Sequence, residues 1–291
     1  MTKKVKITVP TITGSGSVSP IAGQKKHKSI SGKSMVKGVN ADVRSNSITA
    51  EGERGSMREY VQDAILEMNP RWYWDFRWTG QSTLYSDYEG TQLAKPGEEV
   101  YHIKSLSGGA PMRVESSFLK GPVWNGTRLE FRGDSRLEGA IDNPIGGGTG
   151  NASSVVVRTS AWQGDGLSSP FGGDGTGNRY DVVASAAGDR RWFQNNGSQG
   201  LMVSGDDAAD FATHCFNYYP DGREYYREGE LYTAFQPANN DNTTDVFCIG
   251  SYQVNRARFL EGDMAVFVVF DRALDAEEAK RIHDLCSVEV G

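Results

Sequence analysis

Apolar residues along most of this chain occur in short runs, bounded by glycine, asparagine, aspartate or proline. Runs of this kind occupy residues 128–134, 153–162, 179–186, 190–196, 214–235, 245–252 and 262–271. Their length and alternation are typical of β-strands. Turn signals at Pro220-Asp221-Gly222 and at Glu228-Gly229-Glu230 divide the longest run into hairpins. Seven or more such strands predict an all-β, two-sheet antiparallel sandwich.

The last run, "GDMAVFVVFD", is apolar at successive positions. Strict alternation assigns Met264, Val266, Val268 and Phe270 to one face and Ala265, Phe267 and Val269 to the other. A strand that is apolar on both faces is covered on both sides, so we predict that this one is central in its sheet.

A short C-terminal helix is predicted directly after that strand. Asp275 can cap it, and Glu278, three residues later, completes a capping box. Ala279, Ile282 and Leu285 form one apolar stripe, which must pack on the sheet or on a neighbouring loop.

Three segments are predicted along the chain: an extended basic arm over residues 1–55, a short linking helix over 56–69 and the sandwich over 70–291. The arm has few apolar residues, and its first acid is Asp42. Ser56 and Glu59 predict a capping box for the helix, and Pro70 stops it. The arm carries eight lysines before its first acid: Lys3, Lys4, Lys6, Lys25, Lys26, Lys28, Lys33 and Lys37.

Composition adds three constraints to this picture. The 35 glycines among 291 residues favour strands and turns over long helices. The three cysteines, Cys215, Cys248 and Cys286, form no CxxC pair, so we predict reduced thiols, in the core or half-buried, rather than a disulfide framework. No apolar segment has the length of a membrane span, and the N-terminus has no apolar signal region.

Several motifs resemble those of one known family. "LEGDMAVFVVFDRALDAEEAKRIHDL" resembles the closing strand and helix of concanavalin A-like, laminin-G-like lectin/glucanase domains. "WNGTRLEFRGDSRL", "YYPDGREYYREGELY" and "FCIGSYQ" are similar to earlier landmarks of those domains and occur in the same order. "STLYSDYEGTQLAKPGEEVYHI" is similar to copies in tailed-phage structural proteins. The resemblance implies a jelly roll in a virion component made in the host cytoplasm, and it leaves function open because this fold hosts lectins, glycosidases and structural modules.

We predict that the protein is not an enzyme. A glycosidase on this scaffold needs paired carboxylates, usually as Glu-x-Asp-x-x-Glu along one strand, and the sequence has no such triplet. His102, His214 and His283 allow a Ser/His/Asp or Cys/His triad only formally, and we assign them structural roles.

Glycan binding needs aromatic faces and polar groups on loops. The predicted glycan-binding residues are Trp162, Asp174, Asn178, Trp192 and Asn195. Asp174, Asn178 and Asp181 could also supply oxygen ligands to calcium, which is the one possible cofactor. The alternative is that these residues belong to ordinary glycine-rich turns with solvated acids. Trp72, Trp74 and Trp78 are assigned to core or interface, with a sugar platform as the alternative.

The basic arm is interpreted as an assembly arm that orders on a partner surface. A nucleic-acid tail is the weaker interpretation, because arginines and interleaved aromatics are missing from the lysine-rich stretch. The sequence thus predicts a homo-oligomeric virion protein, a capsid decoration or a head or tail appendage, with virion proteins and glycans as partners and no membrane. The alternatives are a stand-alone lectin module and a glycoside hydrolase of the same fold.

Overall fold

The computed structural model describes fourteen segments of the chain. They are residues 5–8, 47–50, 54–79, 82–114, 120–140, 152–160, 168–174, 181–184, 192–195, 200–203, 210–220, 222–235, 246–253 and 256–290. The chain divides into two compact units, and the division falls between Ala64 and Ile65.

The first unit contains a pair of short strands and most of a helix. β1 (Val5–Thr8) and β2 (Ser47–Ala50) pair antiparallel. Helix α1 spans Arg54–Leu66, so the predicted Ser56 cap is wrong: Ser56 lies inside the first turn, two residues after the helix begins. The helix ends before Pro70 as predicted, with Asn69 in the left-handed region at φ 57°.

The second unit is a β-sandwich with one C-terminal helix. Its strands are β3 (Trp72–Asp75), β4 (Leu84–Tyr85), β5 (His102–Ile103), β6 (Met112–Arg113), β7 (Val123–Trp124), β8 (Leu129–Arg132), β9 (Leu137–Ala140), β10 (Ser153–Thr159), β11 (Phe171–Asp174), β12 (Asp181–Ala184), β13 (Trp192–Asn195), β14 (Gly200–Val203), β15 (Ala212–Tyr218), β16 (Arg223–Arg227), β17 (Glu230–Phe235), β18 (Val246–Ile249), β19 (Ser251–Gln253), β20 (Arg256–Phe259) and β21 (Glu261–Phe270), and the helix is α2 (Ala276–Cys286).

Two antiparallel sheets form the sandwich. The larger has the order β17-β16-β15-β10-β21-β8-β7, and β3 pairs with β21 beside β8. The smaller has the order β11-β18-β9-β6-β5-β4. Two further small sheets, β12-β13-β14 and β19-β20, are separate from these two sheets in the strand pairing. The predicted two-sheet antiparallel sandwich is confirmed.

Aromatic side chains join the two sheets in one core. Phe267 of the larger sheet lies 5.7 Å, between ring centroids, from both Phe171 and Phe247 of the smaller sheet. Trp74 packs 5.9 Å from Phe267 and is 2% exposed. Trp72 and Trp78 are also buried, so the assignment of the tryptophan cluster to the core is confirmed.

Strand β21 is central, as predicted, and every residue from Met264 to Phe270 is buried. Its alternation is not strict, however. Arg158 pairs with Val266 and Thr159 with Met264, so Ala265 is an extra residue in a β-bulge. The bulge places Met264 in the core with Phe267 and Val269, and the predicted face of Met264 is therefore wrong.

Helix α2 begins as the sequence predicts. Asp275 accepts a hydrogen bond from the Glu278 N–H at 2.8 Å, and the Glu278 carboxylate accepts one from the Asp275 N–H at 3.2 Å. The predicted apolar stripe of Ala279, Ile282 and Leu285 is buried. Such a capping box satisfies donors that the helix backbone cannot satisfy itself.

The outer face of the larger sheet holds the C-terminal segment through buried polar contacts. Arg77 forms two hydrogen bonds with Asp75, at 2.8 and 2.7 Å, and donates to the backbone carbonyls of Leu285, Cys286 and Val288. Helix α2 packs on β15 and β17 of this sheet, and β21 is buried on both faces, as predicted.

Candidate functional site

The segment between β10 and β15 contains all the predicted glycan-binding and calcium-binding residues. Asp174 ends β11, Asp181 begins β12, and Trp192 and Asn195 are the first and last residues of β13. Trp162 and Asn178 lie outside the described residues. Calcium binding by Asp174, Asn178 and Asp181 therefore stays a prediction.

The three-stranded sheet β12-β13-β14 brings some of these residues together. Asp181 is directly opposite Asn195, and Trp192 is opposite Ala184. The backbone register therefore places Asp181 and Asn195 at one end of the β12–β13 pair and Trp192 at the other.

The chain enters the larger sheet at one end, and the segment between β10 and β15 leaves the sheet at the other end. β3 enters the sheet at Trp72, opposite Val269 near the end of β21. β10 leaves it at Thr159, opposite Met264 near the start of β21, and β15 returns at Ala212, opposite Thr159. On the partner strand β10, four residue steps separate Thr159 from Val155, the partners of Met264 and Val269, which corresponds to about 13 Å. We refer to these as the entry end and the far end of the sheet.

Ionic and polar contacts fix the chain at the entry end. Arg71 pairs with Asp271 at 3.1 Å, and Arg272 donates to the Met68 carbonyl at 3.4 Å. The chain that follows α1 is therefore held beside the start of the C-terminal segment.

The lysines of the basic arm are mostly outside the described residues. Lys6 lies in β1, opposite Thr49. Lys3, Lys4, Lys25, Lys26, Lys28, Lys33 and Lys37 lie outside those residues. The role of the arm in assembly stays a prediction.

One aromatic cluster in the described residues was not singled out by the sequence analysis. The rings of Tyr88 and Tyr101 lie 4.8 Å apart between centroids, and Tyr88 is 40% exposed. Glu99 accepts a hydrogen bond from the Tyr101 hydroxyl. The two tyrosines are thirteen positions apart in the sequence, so only the folding of the β4–β5 connection brings them together.

The described histidines occupy structural positions. Ser287 Oγ lies 3.1 Å and Glu228 Oε2 3.4 Å from the same atom of His283, Nδ1. A Ser-His-acid relay needs the serine and the acid on opposite ring nitrogens, so this trio is not arranged as a catalytic triad. Burial lowers the pKa of His283, and the nearby charge of Arg158 acts in the same direction.

The buried carboxylates of the second unit are paired with arginines. Asp75 pairs with Arg77 at 2.7 Å, and Glu138 is paired with Arg136. Asp263, at the start of β21, lies 3.7 Å from Arg128. Asp75 and Glu138 are thus each neutralised by a buried arginine.

The three cysteines are buried thiols without a disulfide. Cys215, Cys248 and Cys286 are free and buried, as predicted, and burial raises the pKa of Cys286 to about 12. Within the described part of the chain, no group of three or more His, Cys, Asp or Glu side chains could hold a metal ion. In the same residues, no helix is long and apolar enough to cross a membrane.

Comparisons with known proteins give structural similarities only. No protein family model matches the chain, and no curated protein matches it. A crystal structure of the botulinum neurotoxin serotype D binding domain is similar at 14% identity and a TM-score of 0.46, over 62% of this chain and 48% of that one. The receptor-binding domain of botulinum neurotoxin D gives 11% identity and a TM-score of 0.49, over 77% and 53%.

A third similar structure is domain 4 of AbnA, a GH43 extracellular arabinanase from Geobacillus stearothermophilus, in complex with arabinotriose. It gives 10% identity and a TM-score of 0.45, over 74% of this chain and 98% of that domain. The chain spans about half the length of the two neurotoxin structures. At TM-scores below 0.5, these similarities do not extend to function.

Proposed function

We propose that this chain is a non-catalytic virion structural protein, anchored by its N-terminal arm and displaying a lectin-like sandwich that binds glycans. The observation that carries the proposal is the opposite placement of the entry end and the far end of the larger sheet. The segment that follows the arm joins the sandwich at Trp72. The segment with the predicted glycan-binding residues leaves the sheet at Thr159 and returns at Ala212.

This placement suits an anchored display module. A particle that holds the chain at the entry end leaves the far end of the same sandwich accessible to a large ligand. Connecting segments carry binding residues more often than strands do, because the sheets hold them in place while their sequences vary freely.

The use of the ionisable side chains supports a binding role over a catalytic one. A general base works best with a pKa near the operating pH, whereas burial, followed by the charges of Arg227 and Arg158, lowers the pKa of His214 to about 3. The buried Asp75 and Glu138 are each paired with an arginine. These groups stabilise the sandwich.

The arm is tested by deleting residues 1–53, which leaves α1 intact from Arg54. We expect the shortened protein to be absent from purified virions, because the anchor is removed. The matched control replaces the eight arm lysines with glutamine in the full chain, which separates the charge of the arm from its length.

Urea unfolding of the shortened protein reports on the sandwich, whose contacts lie within Ile65–Val290. We expect an unfolding midpoint close to that of the full chain. Incorporation of the shortened protein at the level of the full chain would refute the anchoring role.

A further inference from the structure

The exposed aromatic surface at the β4–β5 connection has the composition of a ligand site. Tyr88 and Leu93 are 40% and 50% exposed, and both lie in this one connection. The Tyr88 ring rests against that of Tyr101, with 4.8 Å between centroids and 41° between planes. The pair offers an aromatic surface to solvent that a single mobile tyrosine would not hold in place.

Hydrogen bonds fix the turn that carries Tyr88. The Asp87 carboxylate accepts from the backbone N–H groups of Thr91 and Gln92, both at 2.9 Å. Side-chain to backbone bonds of this kind hold a turn in one conformation. Less conformational entropy is then lost when a ligand binds.

The smaller sheet supports the same turn from below. His102 Nδ1 lies 3.1 Å from the Tyr88 carbonyl oxygen, and the His102 ring is buried beside Tyr85. Gly90 has φ 72°, and a Cβ there would lie 2.7 Å from the His102 ring. The turn is thus seated directly on β4 and β5, and Tyr88 has a defined position.

Polar groups of both signs lie at this connection. Glu99 accepts from the Tyr101 hydroxyl. Lys104 Nζ lies 3.5 Å from the Gly90 carbonyl oxygen, in the turn that carries Tyr88, and 3.0 Å from the Tyr85 hydroxyl. A carboxylate supplies acceptors and an ammonium supplies donors for ligand hydroxyls.

The cluster lies away from the entry end. Ser105, which follows β5, accepts a hydrogen bond from the Tyr73 N–H at 3.0 Å, and Ser107 donates to the Arg71 carbonyl at 3.0 Å. Tyr101 precedes β5 and stands at its opposite end. The two tyrosines are therefore separated from these entry-end contacts by β5.

We propose that Tyr88, supported by the Tyr101 ring against which it packs, forms a stacking platform for the apolar face of a pyranose ring, with Glu99 and Lys104 bonding to the sugar hydroxyls. Amphipathic aromatic rings suit this ligand because a sugar ring presents C–H groups on its face and hydroxyls at its rim. This inference rests on the proposed function in one respect, that the protein binds glycans.

The test uses the full chain on an immobilised glycan array, followed by calorimetric titration of the glycan that binds best. We expect Tyr88→Ala to weaken binding about threefold to tenfold, which is the range of a single aromatic contact. Tyr88→Phe keeps the ring and should stay within about twofold of the wild type. Tyr232→Ala is the matched control, since Tyr232 is 42% exposed on β17 and should have no effect.

The outcomes separate this site from the broader proposal. Wild-type binding that Trp192→Ala reduces and Tyr88→Ala does not would overturn the tyrosine platform and leave glycan binding in place. An array without any hit would overturn both. If Tyr88→Ala changes the sedimentation of the protein and leaves its glycan affinity unchanged, this surface binds a second copy of the chain. That result would also overturn the platform.

Discussion

The buried imidazole of His214 is expected to make the stability of this protein depend on pH. His214 lies on β15 and is 1% exposed, and its ring lies beside the stacked pair of Phe216 and Tyr225, with centroids 6.3 and 6.0 Å away. Its Nδ1 lies 2.7 Å from the Tyr225 hydroxyl. Burial, and then the charges of Arg227 and Arg158, lowers the pKa of His214 from 6.5 to about 3.

The sign and size of the effect follow from this lowered pKa. The unfolded chain takes up a proton at His214 near pH 6.5, whereas the folded chain resists protonation until about pH 3. The stabilisation is therefore fully present above pH 6.5 and is lost progressively as the pH falls towards 3. At about pH 5 the loss is roughly 1.5 pH units at 1.36 kcal/mol each, or about 2 kcal/mol.

The assay is urea unfolding followed by tryptophan fluorescence at several pH values between about 7.5 and 5. His214→Phe fills a similar volume and cannot be protonated, so its free energy of unfolding should fall by about 2 kcal/mol less than that of the wild type over this range. Tyr225→Phe is the control for the lost hydrogen bond and should keep the pH dependence.

Burial also lowers the pKa values of His102 and His283, so the wild type is expected to lose more than the contribution of His214 alone. The comparison between wild type and His214→Phe isolates the buried imidazole. Parallel pH profiles for these two proteins would refute the reasoning.

Three further predictions concern stability and are measured by urea unfolding at neutral pH. Asp75→Ala leaves the buried charge of Arg77 without its carboxylate and should lower the free energy of unfolding by about 3 to 5 kcal/mol. Asp271→Ala, at an exposed carboxylate, is the control, and a similar loss in both variants would contradict the argument. Asp275→Ala removes the cap of α2 and should cost about 1 kcal/mol, so an unchanged midpoint would speak against the capping box. Gly229→Ala adds a Cβ at φ 79°, 2.9 Å from the backbone of α2, and should lower the free energy of unfolding by about 1 to 3 kcal/mol. A gain in stability would contradict the close approach of this turn to α2.

Much of the sandwich could be predicted from the sequence because its strands and turns have local signals. The turn at Glu228-Gly229 shows this, since both residues have positive φ values, 51° and 79°, and connect β16 directly to β17. The short strands β4, β5, β6 and β7 were not predicted. Each has two residues, too few to show a period.

The candidate site was predictable only in part. Trp192, Asn195 and Asp181 were selected for their chemistry, but the opposition of Asp181 and Asn195 depends on the register of β12 and β13. The Tyr88 and Tyr101 pair had no sequence signal, because neither the spacing nor the composition of this segment indicates a ring contact.

By itself, the sequence determined the all-β class, the double burial of β21 and the capped helix after it. These follow from period-two hydrophobicity and from a cap within one turn, which are properties of neighbouring residues. The tertiary structure decided which strands are neighbours, the bulge at Ala265 that turns Met264 into the core, and the separation of the entry end from the far end. Those features depend on hydrogen bonds between residues far apart in the chain. The local pattern of hydrophobic and polar residues does not predict such pairings.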